Sequence, residues 1–308
     1  MHSQFYWGFL AMKYVSICIG ALLVAGCSTV QRDAAIPDVP LPLPIVVKVP
    51  PRIGLALGGG AARGFAHIGV IQVLEDAGIR PTLVTGTSAG SLVAAIYASG
   101  KSGKQLQRVA ETMEESTIAD WTLPLFTRGM LRGDALARYV NEQVGSRLLE
   151  DMALPLGIVA TDLNSGQSVL FQKGDTGTAV RASSAVPAVF QPVRISGRDY
   201  VDGGLVSPVP VRAARKMGAE LVIAVDISSA PEGSLTAGTL DVLLQTFTIM
   251  GNSINGFELK DADIVVRPLL VGVSSADFSA RKRSIEAGRQ AMLQLMPQLR
   301  AAIAAKSH

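Results

Sequence analysis

Five residues in this chain stand in an order that suits nucleophilic chemistry: Gly86-Thr87-Ser88-Ala89-Gly90. They follow an apolar run and precede a stretch with helical spacing, so the serine falls on a sharp strand-to-helix turn. The flanking glycines let such a turn close, and the turn lifts the hydroxyl clear of the main chain. A helix starting there directs free N–H groups and its positive dipole end at any negative charge developing nearby. A serine so placed can attack a carbonyl. The plainer reading is a helix N-cap serine between two glycines.

A second segment, Gly58-Gly59-Gly60-Ala61-Ala62-Arg63-Gly64, also lies between an apolar run and a helical one. Main chain without side chains exposes N–H groups that can converge on an oxyanion, and Gly59 and Gly60 are the expected donors. The competing use is a dinucleotide phosphate cradle. That fingerprint wants glycine at its sixth position and an acidic residue about twenty residues on, at the end of the next strand. Arg63 occupies the sixth position and the next strand runs into the serine turn, which argues against the cradle.

A serine nucleophile needs a base, and the chain has three histidines. His2 belongs to the leader and His308 is the last residue. His67 shares a helical face with Ile71 and Leu74, which packs it against a sheet. A Ser-His-Asp triad is therefore set aside, and a carboxylate or lysine should contact Ser88 directly as a dyad. Asp202, in Tyr200-Val201-Asp202-Gly203-Gly204, ends a short run whose glycines allow another loop close approach. Asp162, Asp175 and Asp226 also end or follow apolar runs, and Asp-Gly is a common turn pair, so residue chemistry alone leaves the choice open. A free aspartate titrates at about 3.9, so the base must gain basicity from burial. The chemistry calls for no metal or organic cofactor.

The elements that position these residues follow from periodicity. Residues 53–57 read as a strand and 65–76 as a helix ended by Gly78; residues 81–85 read as a second strand and 88–99 as a second helix closed by Gly100. Two successive strand-loop-helix units imply parallel strands and a layered α/β fold. Residues 156–161 and 168–172 flank Asn164-Ser165-Gly166 as a hairpin, residues 221–227 and 263–268 read as buried strands, and 275–306 as a terminal helix. Residues 121–132, with Trp121, Arg128 and Arg132 among large apolar residues, fit neither period and suit either a substrate-gating flap or a loop folded onto the core.

The 308 residues are 48% hydrophobic with a net charge of +3, enough to bury one substantial core and without the clustered cations of a nucleic-acid binder. Cys18 and Cys27 are the only cysteines, so the rest of the chain offers no thiol for a disulfide, a metal or a nucleophile. Lys13 is followed by about twelve apolar or small residues, too few to span a bilayer and right for an export signal. Met12-Lys13 makes a better start for it than Met1. The signal ends in Val24-Ala25-Gly26-Cys27, which resembles the lipobox of bacterial lipoproteins and makes Cys27 the acylated residue. Ser28 after it points to the outer membrane of a Gram-negative envelope. The prolines between residues 28 and 52 favour extended chain that holds a domain away from the membrane. The expected organisation is a signal peptide at 1–26, a lipid-anchored linker at 27–51 and a single domain at 52–308.

In combination, G-G-G-x-x-R-G, then G-T-S-A-G about twenty-five residues later, then Arg181-Ala182-Ser183-Ser184-Ala185-Val186-Pro187 and D-G-G, this chain resembles the patatin-like phospholipase family, with its bacterial branch and the neuropathy-target-esterase catalytic domain in particular. The resemblance runs from about residue 52 to at least Asp226. It implies a three-layer α/β/α fold with a mostly parallel central sheet and hydrolysis of lipid acyl esters, of phospholipase A or lysophospholipase type. Carried over residue by residue, it makes Ser88 the nucleophile within the elbow Gly86, Thr87, Ala89 and Gly90, Asp202 its partner beside Gly203 and Gly204, and Gly58, Gly59 and Gly60 the oxyanion loop shaped by Arg63. Gly64 lies one place beyond the G-x-G-x-x-G form, which leaves open which amides point inward. The alternatives are an inactive lipid-binding lipoprotein of the same fold and a dinucleotide-dependent enzyme.

Overall fold

The computed structural model describes residues 48–308 apart from 115, 117–119, 121–128, 230–237 and 275. The leader, Cys27, most of the linker, Trp121 and Arg128 lie outside the described residues. Side-chain alternation along the central strands sets the layers. In β1 (Ile53–Leu57), Ile53, Leu55 and Leu57 enter one core while Ala56 enters another. In β9 (Leu221–Val225), Leu221, Ile223 and Val225 join the first core and Val222 and Ala224 the second. Strands buried on both faces need helices on both, as parallel sheets do. The first face carries α1 (Phe65–Asp76), α2 (Ala89–Ala98) and α8 (Arg281–Lys306) through Ile71, Leu74, Val93, Ile96, Met292 and Leu299. The second carries α6 (Val211–Lys216) through Val211 and Ala214. The layered α/β reading and the mostly parallel sheet are thus observed.

Strands β10 (Ile264–Val266), β9, β1, β2 (Leu83–Thr87) and β4 (Leu156–Asp162) lie side by side and run parallel. β5 (Ser168–Phe171) pairs antiparallel with β4 across the expected hairpin. β8 (Arg198–Asp202) also pairs antiparallel with β4, and β7 (Val193–Ile195) borders β8. Residues 158 and 159 of β4 pair with both β2 and β5, and residues 160 and 161 with both β5 and β8. A strand has two edges, so β2 and β8 share one of them. They meet head to head there: Thr87 faces Val159 and Asp202 faces Ala160.

β2 starts two residues later than the sequence reading and extends to Thr87. Pro81 has no N–H for a ladder, and pairing with Leu156 to Val159 extends the other end. The terminal helix starts at Arg281, after a 3-10 turn over Phe278–Ala280 in which the Asp277 carboxylate accepts the amides of Ser279 and Ala280. Residues 121–132 are in part a strand: β3 (Gly129–Leu131) pairs with β6 (Ala188–Phe190) in a small separate sheet. The remaining described helices are α3 (Gly103–Thr112), α4 (Asp134–Val144), α5 (Thr176–Ser183) and α7 (Thr239–Glu258). α7 follows the second core, where Glu258 accepts a hydrogen bond of 2.7 Å from the Ser207 hydroxyl.

α2 begins directly against β1 because two residues there lack a Cβ. A Cβ on Gly90 would lie 2.1 Å from the Leu57 carbonyl oxygen, and one on Gly86 would lie 2.5 Å from that of Gly90. Gly90→Ala is expected to lower unfolding stability by about 3 kcal/mol, the upper range for overpacking against backbone. Gly256→Ala, in α7 where a Cβ meets nothing within 4 Å, should be neutral or stabilise by up to about 1 kcal/mol. Denaturant unfolding of the two variants checks the contrast.

Candidate active site

Ser88 occupies the turn between β2 and α2 with φ 53 and ψ −125, a region that costs a residue with a side chain about 1–3 kcal/mol unless its surroundings hold it. Both polar groups of its main chain are held. The Ser88 amide donates to Ser183 Oγ at 2.9 Å. Its carbonyl accepts from the Ser91 amide at 2.8 Å and the Ser91 hydroxyl at 2.6 Å. The turn is tied to the loop after Asp202 by Thr87, whose hydroxyl donates to the Ser207 carbonyl at 2.8 Å.

Asp202 arrives from the opposing strand. It is 6% exposed. Its main chain is fixed on both sides, the amide donating to Ala185 O at 3.0 Å and the carbonyl accepting from the Thr161 hydroxyl at 2.8 Å. Its Oδ1 accepts the Gly204 amide at 2.7 Å. Burial pushes the carboxyl up to about 6, against the lowering effect of the Gly204 amide and of the Ser88 hydroxyl, its side-chain hydrogen-bond partner. Such pairs tighten when a substrate is engaged. The other three aspartates are committed elsewhere. Asp162 accepts the Asn164 and Ser165 amides and pairs with Arg198, Asp175 caps α5 at Thr178, and Asp226 accepts from Ser228 and Arg267.

The glycine loop lies against this turn: a Cβ on Gly59 would sit 3.2 Å from Ser88 Cβ. Two of its amides are already engaged, which corrects the expectation for Gly59. The Gly59 amide donates to Pro208 O at 2.9 Å and that of Gly58 to Val225 O at 3.0 Å, because the loop continues the pairing of β1 with the chain beside it. Among the described residues, no acceptor takes the amides of Gly60, Ala61 or Ala89. The Arg63 amide closes the loop onto Gly60 O at 3.2 Å. Its guanidinium is buried at 7% exposure, faces Asp226 electrostatically and does not line the cavity described below.

His67 has a role beyond packing that periodicity could not reveal. It is fully buried in α1, and its Nε2–H donates to the Gly58 carbonyl at 2.8 Å, pinning the glycine loop from below. Burial lowers its pKa to about 4, so it stays neutral at physiological pH. The unfolded chain protonates it near 6.5, so its contribution to stability is lost as pH falls from there towards 4. Ser183 was also not singled out. Its signal lies in the segment of residues 181–187, where it closes the helix-forming run of α5.

Ser88 opens into a cavity of about 290 Å3 whose walls include Leu92, Leu106, Met113, Leu131 and Phe190. Among the described residues, Ser88 and Ser184 supply its side-chain hydroxyls and no charged residue lines it. Such a wall suits an apolar chain. No cluster of His, Cys, Asp and Glu among the described residues is arranged to hold a metal ion.

Residues 55–215 match the family described as patatin-like phospholipase. An uncharacterized NTE family protein of Mycobacterium tuberculosis is 36% identical over 198 residues, covering 63% of this chain and 55% of that protein. Patatin-like phospholipase domain-containing protein 6 of Homo sapiens is 36% identical over 192 residues, covering 60% of this chain and 14% of that protein. The chain thus spans about half the length, or less, of these curated relatives. The crystal structure of VipD from Legionella pneumophila shares the fold at a TM-score of 0.55 with 16% identity, covering 80% of this chain and 67% of that one.

The raised Asp202 pKa has a stability consequence of definite sign. Between about pH 4 and 6 the folded state holds a proton that the unfolded state has released, so stability falls as pH rises through that window and is level above it. The ionised carboxylate therefore costs the folded state about 3 kcal/mol at neutral pH. Asp202→Asn keeps an acceptor for Gly204 and carries no charge. It should unfold at higher denaturant than the parent at pH 8, with the gain gone at pH 4. Equal unfolding midpoints at both pH values would show that the carboxylate is not buried as described.

Proposed function

This chain belongs to the patatin-like phospholipase family, and from that premise we propose that it is a serine hydrolase of lipid acyl esters working through Ser88 and Asp202. The observation that carries the reading is a strained serine that lines an apolar cavity and stands beside a buried carboxyl. Ser88 Oγ attacks the ester carbonyl carbon while Asp202 accepts its proton. The tetrahedral oxyanion is held by main-chain amides, for which the unengaged Gly60, Ala61 and Ala89 are the assigned donors, aided by the dipole end of α2. As the C–O bond breaks, Asp202 returns the proton to the departing alcohol. Water, losing a proton to Asp202, then attacks the acyl-serine, and the carboxylic acid leaves as Ser88 regains its hydrogen. An ionised Asp202 is the competent form, so kcat/KM rises with pH through a limb near 6.

The acyl chain lies in the cavity with the head group outside. This reading makes the enzyme selective for the chain and tolerant of the head group, as expected of a phospholipase A or lysophospholipase type activity. The reading also includes an envelope location: a leader at 1–26, acylated Cys27, an extended linker over 27–51 and the hydrolase domain at 52–308, with an outer-membrane destination. Support comes from the lipobox-like Val24-Ala25-Gly26-Cys27. The linker enters the folded part at Val49, whose amide and carbonyl pair with those of His308 at 2.7 and 3.2 Å.

A fluorophosphonate probe should label the full chain and fail on Ser88→Ala, while Asp202→Asn should lower kcat for a chromogenic ester by about a thousandfold or more. An unlabelled, folded parent chain would favour the inactive lipid-binding reading. Ala110→Phe, placed on the α3 wall, should lower kcat/KM at least tenfold for a 12-carbon ester and change a 4-carbon ester by less than twofold, an effect expected of about a ring's volume removed from an acyl site. Cys27→Ala should abolish incorporation of labelled palmitate and release the protein from the membrane fraction.

A further inference from the structure

We infer that Ser183 is a positioning residue for Ser88, and that the three residues Ser183, Ser184 and Ala185 form a strap setting both members of the dyad relative to each other. The inference rests on the hydrolase reading above.

Ser183 is the last residue of α5 and is fully buried. A hydroxyl has one hydrogen to give and lone pairs to accept with, and here both capacities are used. Ser183 Oγ accepts the Ser88 amide at 2.9 Å and donates to the Val159 carbonyl at 2.5 Å. Val159 is the β4 residue that faces Thr87, so the hydroxyl fastens the nucleophile to the rung of the ladder where β2 ends. Two residues on, Ala185 O accepts the Asp202 amide at 3.0 Å. One short segment therefore holds the nucleophile through a side chain and the carboxylate through its main chain, while Ser184 between them faces the cavity.

The strap is itself anchored upstream. Arg181 pairs with Asp134 at 2.6 Å and donates to Arg132 O at 3.0 Å, which ties α5 to α4 and to the chain leaving β3. With the Ser88 amide engaged by Ser183, that amide is not directed at the oxyanion, in accord with donors taken from the glycine loop and Ala89. Without the Ser183 oxygen, the Ser88 amide has no acceptor and the strained turn is held only through the Ser88 carbonyl. The hydroxyl of Ser88 then drifts from Asp202 while the cavity walls, and so substrate binding, stay as they are.

The test uses the full chain with Ser183→Ala, which removes a single oxygen, and Ser183→Cys, whose sulfur is a weak acceptor. Thermal melting reports folding, and ester kinetics across pH report the rest. Expected for Ser183→Ala are a 10- to 100-fold loss of kcat, KM within twofold of the parent, and slower fluorophosphonate labelling of Ser88 in the same proportion. The acid limb of kcat/KM should also move above 6. The Ser88 hydroxyl lowers the Asp202 pKa alongside the Gly204 amide, and a drifting hydroxyl releases its share of that effect. Ser183→Cys should fall between parent and alanine in kcat and in the position of the limb. Should the alanine variant not melt cooperatively, the cysteine variant is read alone: an intermediate kcat with a raised limb supports the strap. A folded variant with unchanged kcat, or one that loses activity through KM with the limb in place, overturns it. An inactive, unlabelled parent chain instead overturns the hydrolase reading on which it rests.

Discussion

The arrangement depends on one feature of strand pairing: β2 and β8 occupy the same edge of β4 and run towards each other until they meet. Their last residues, Thr87 and Asp202, stand on adjacent rungs, opposite Val159 and Ala160. Hydrogen-bonded pairing fixes those rungs, so Ser88, one residue beyond Thr87, and the Asp202 carboxylate at the end of β8 meet without help from flexible loops. A slip of one residue in β8 would turn Asp202 to the opposite face of the sheet, and a slip in β2 would do the same to Thr87. The hairpin of β4 with β5 holds the other edge of β4 and keeps that register.

Around this meeting point, polar groups are buried in ways that cost stability. Asp202 sits where its charge is disfavoured, His67 is buried as a neutral ring, and Ser88 holds a backbone conformation foreign to most residues. Each is compensated locally by main-chain hydrogen bonding: Gly204 for the carboxylate, the Gly58 carbonyl for the imidazole, Ser183 and Ser91 for the turn. Sites that hold reactive groups this way trade folding free energy for preorganisation. The two large apolar cores on the faces of the sheet supply the stability that offsets the expense.

The cavity extends the same logic outward. Its walls come from the first helical layer and from the small β3–β6 sheet, elements whose own stability comes from burial against the core. Among the described lining residues, the polar side chains are those of Ser88 and Ser184. A ligand with a long apolar part and a reactive carbonyl at one end fits that division, and a compact charged ligand does not.

Much of this was legible along the chain, because periods of two and 3.6 residues and glycine spacing are properties of neighbouring residues. They located β1, α1, the serine turn with α2, the hairpin of β4 and β5, and the glycine loop, and they narrowed the carboxylate to four. Strands of three residues such as β3, β6 and β7 carry no readable period, and they were missed. The combination of motifs, through its family resemblance, then pointed to Asp202, and the structure sets that residue beside Ser88. What only the tertiary structure decided were other partners across long separations: the Gly59 amide engaged by Pro208, His67 beneath Gly58, and Ser183 on Ser88, 95 residues away. A hydrogen bond is made within about 3 Å, and residues far apart in sequence come within that distance through the register of strands and the packing of layers, which no local pattern records.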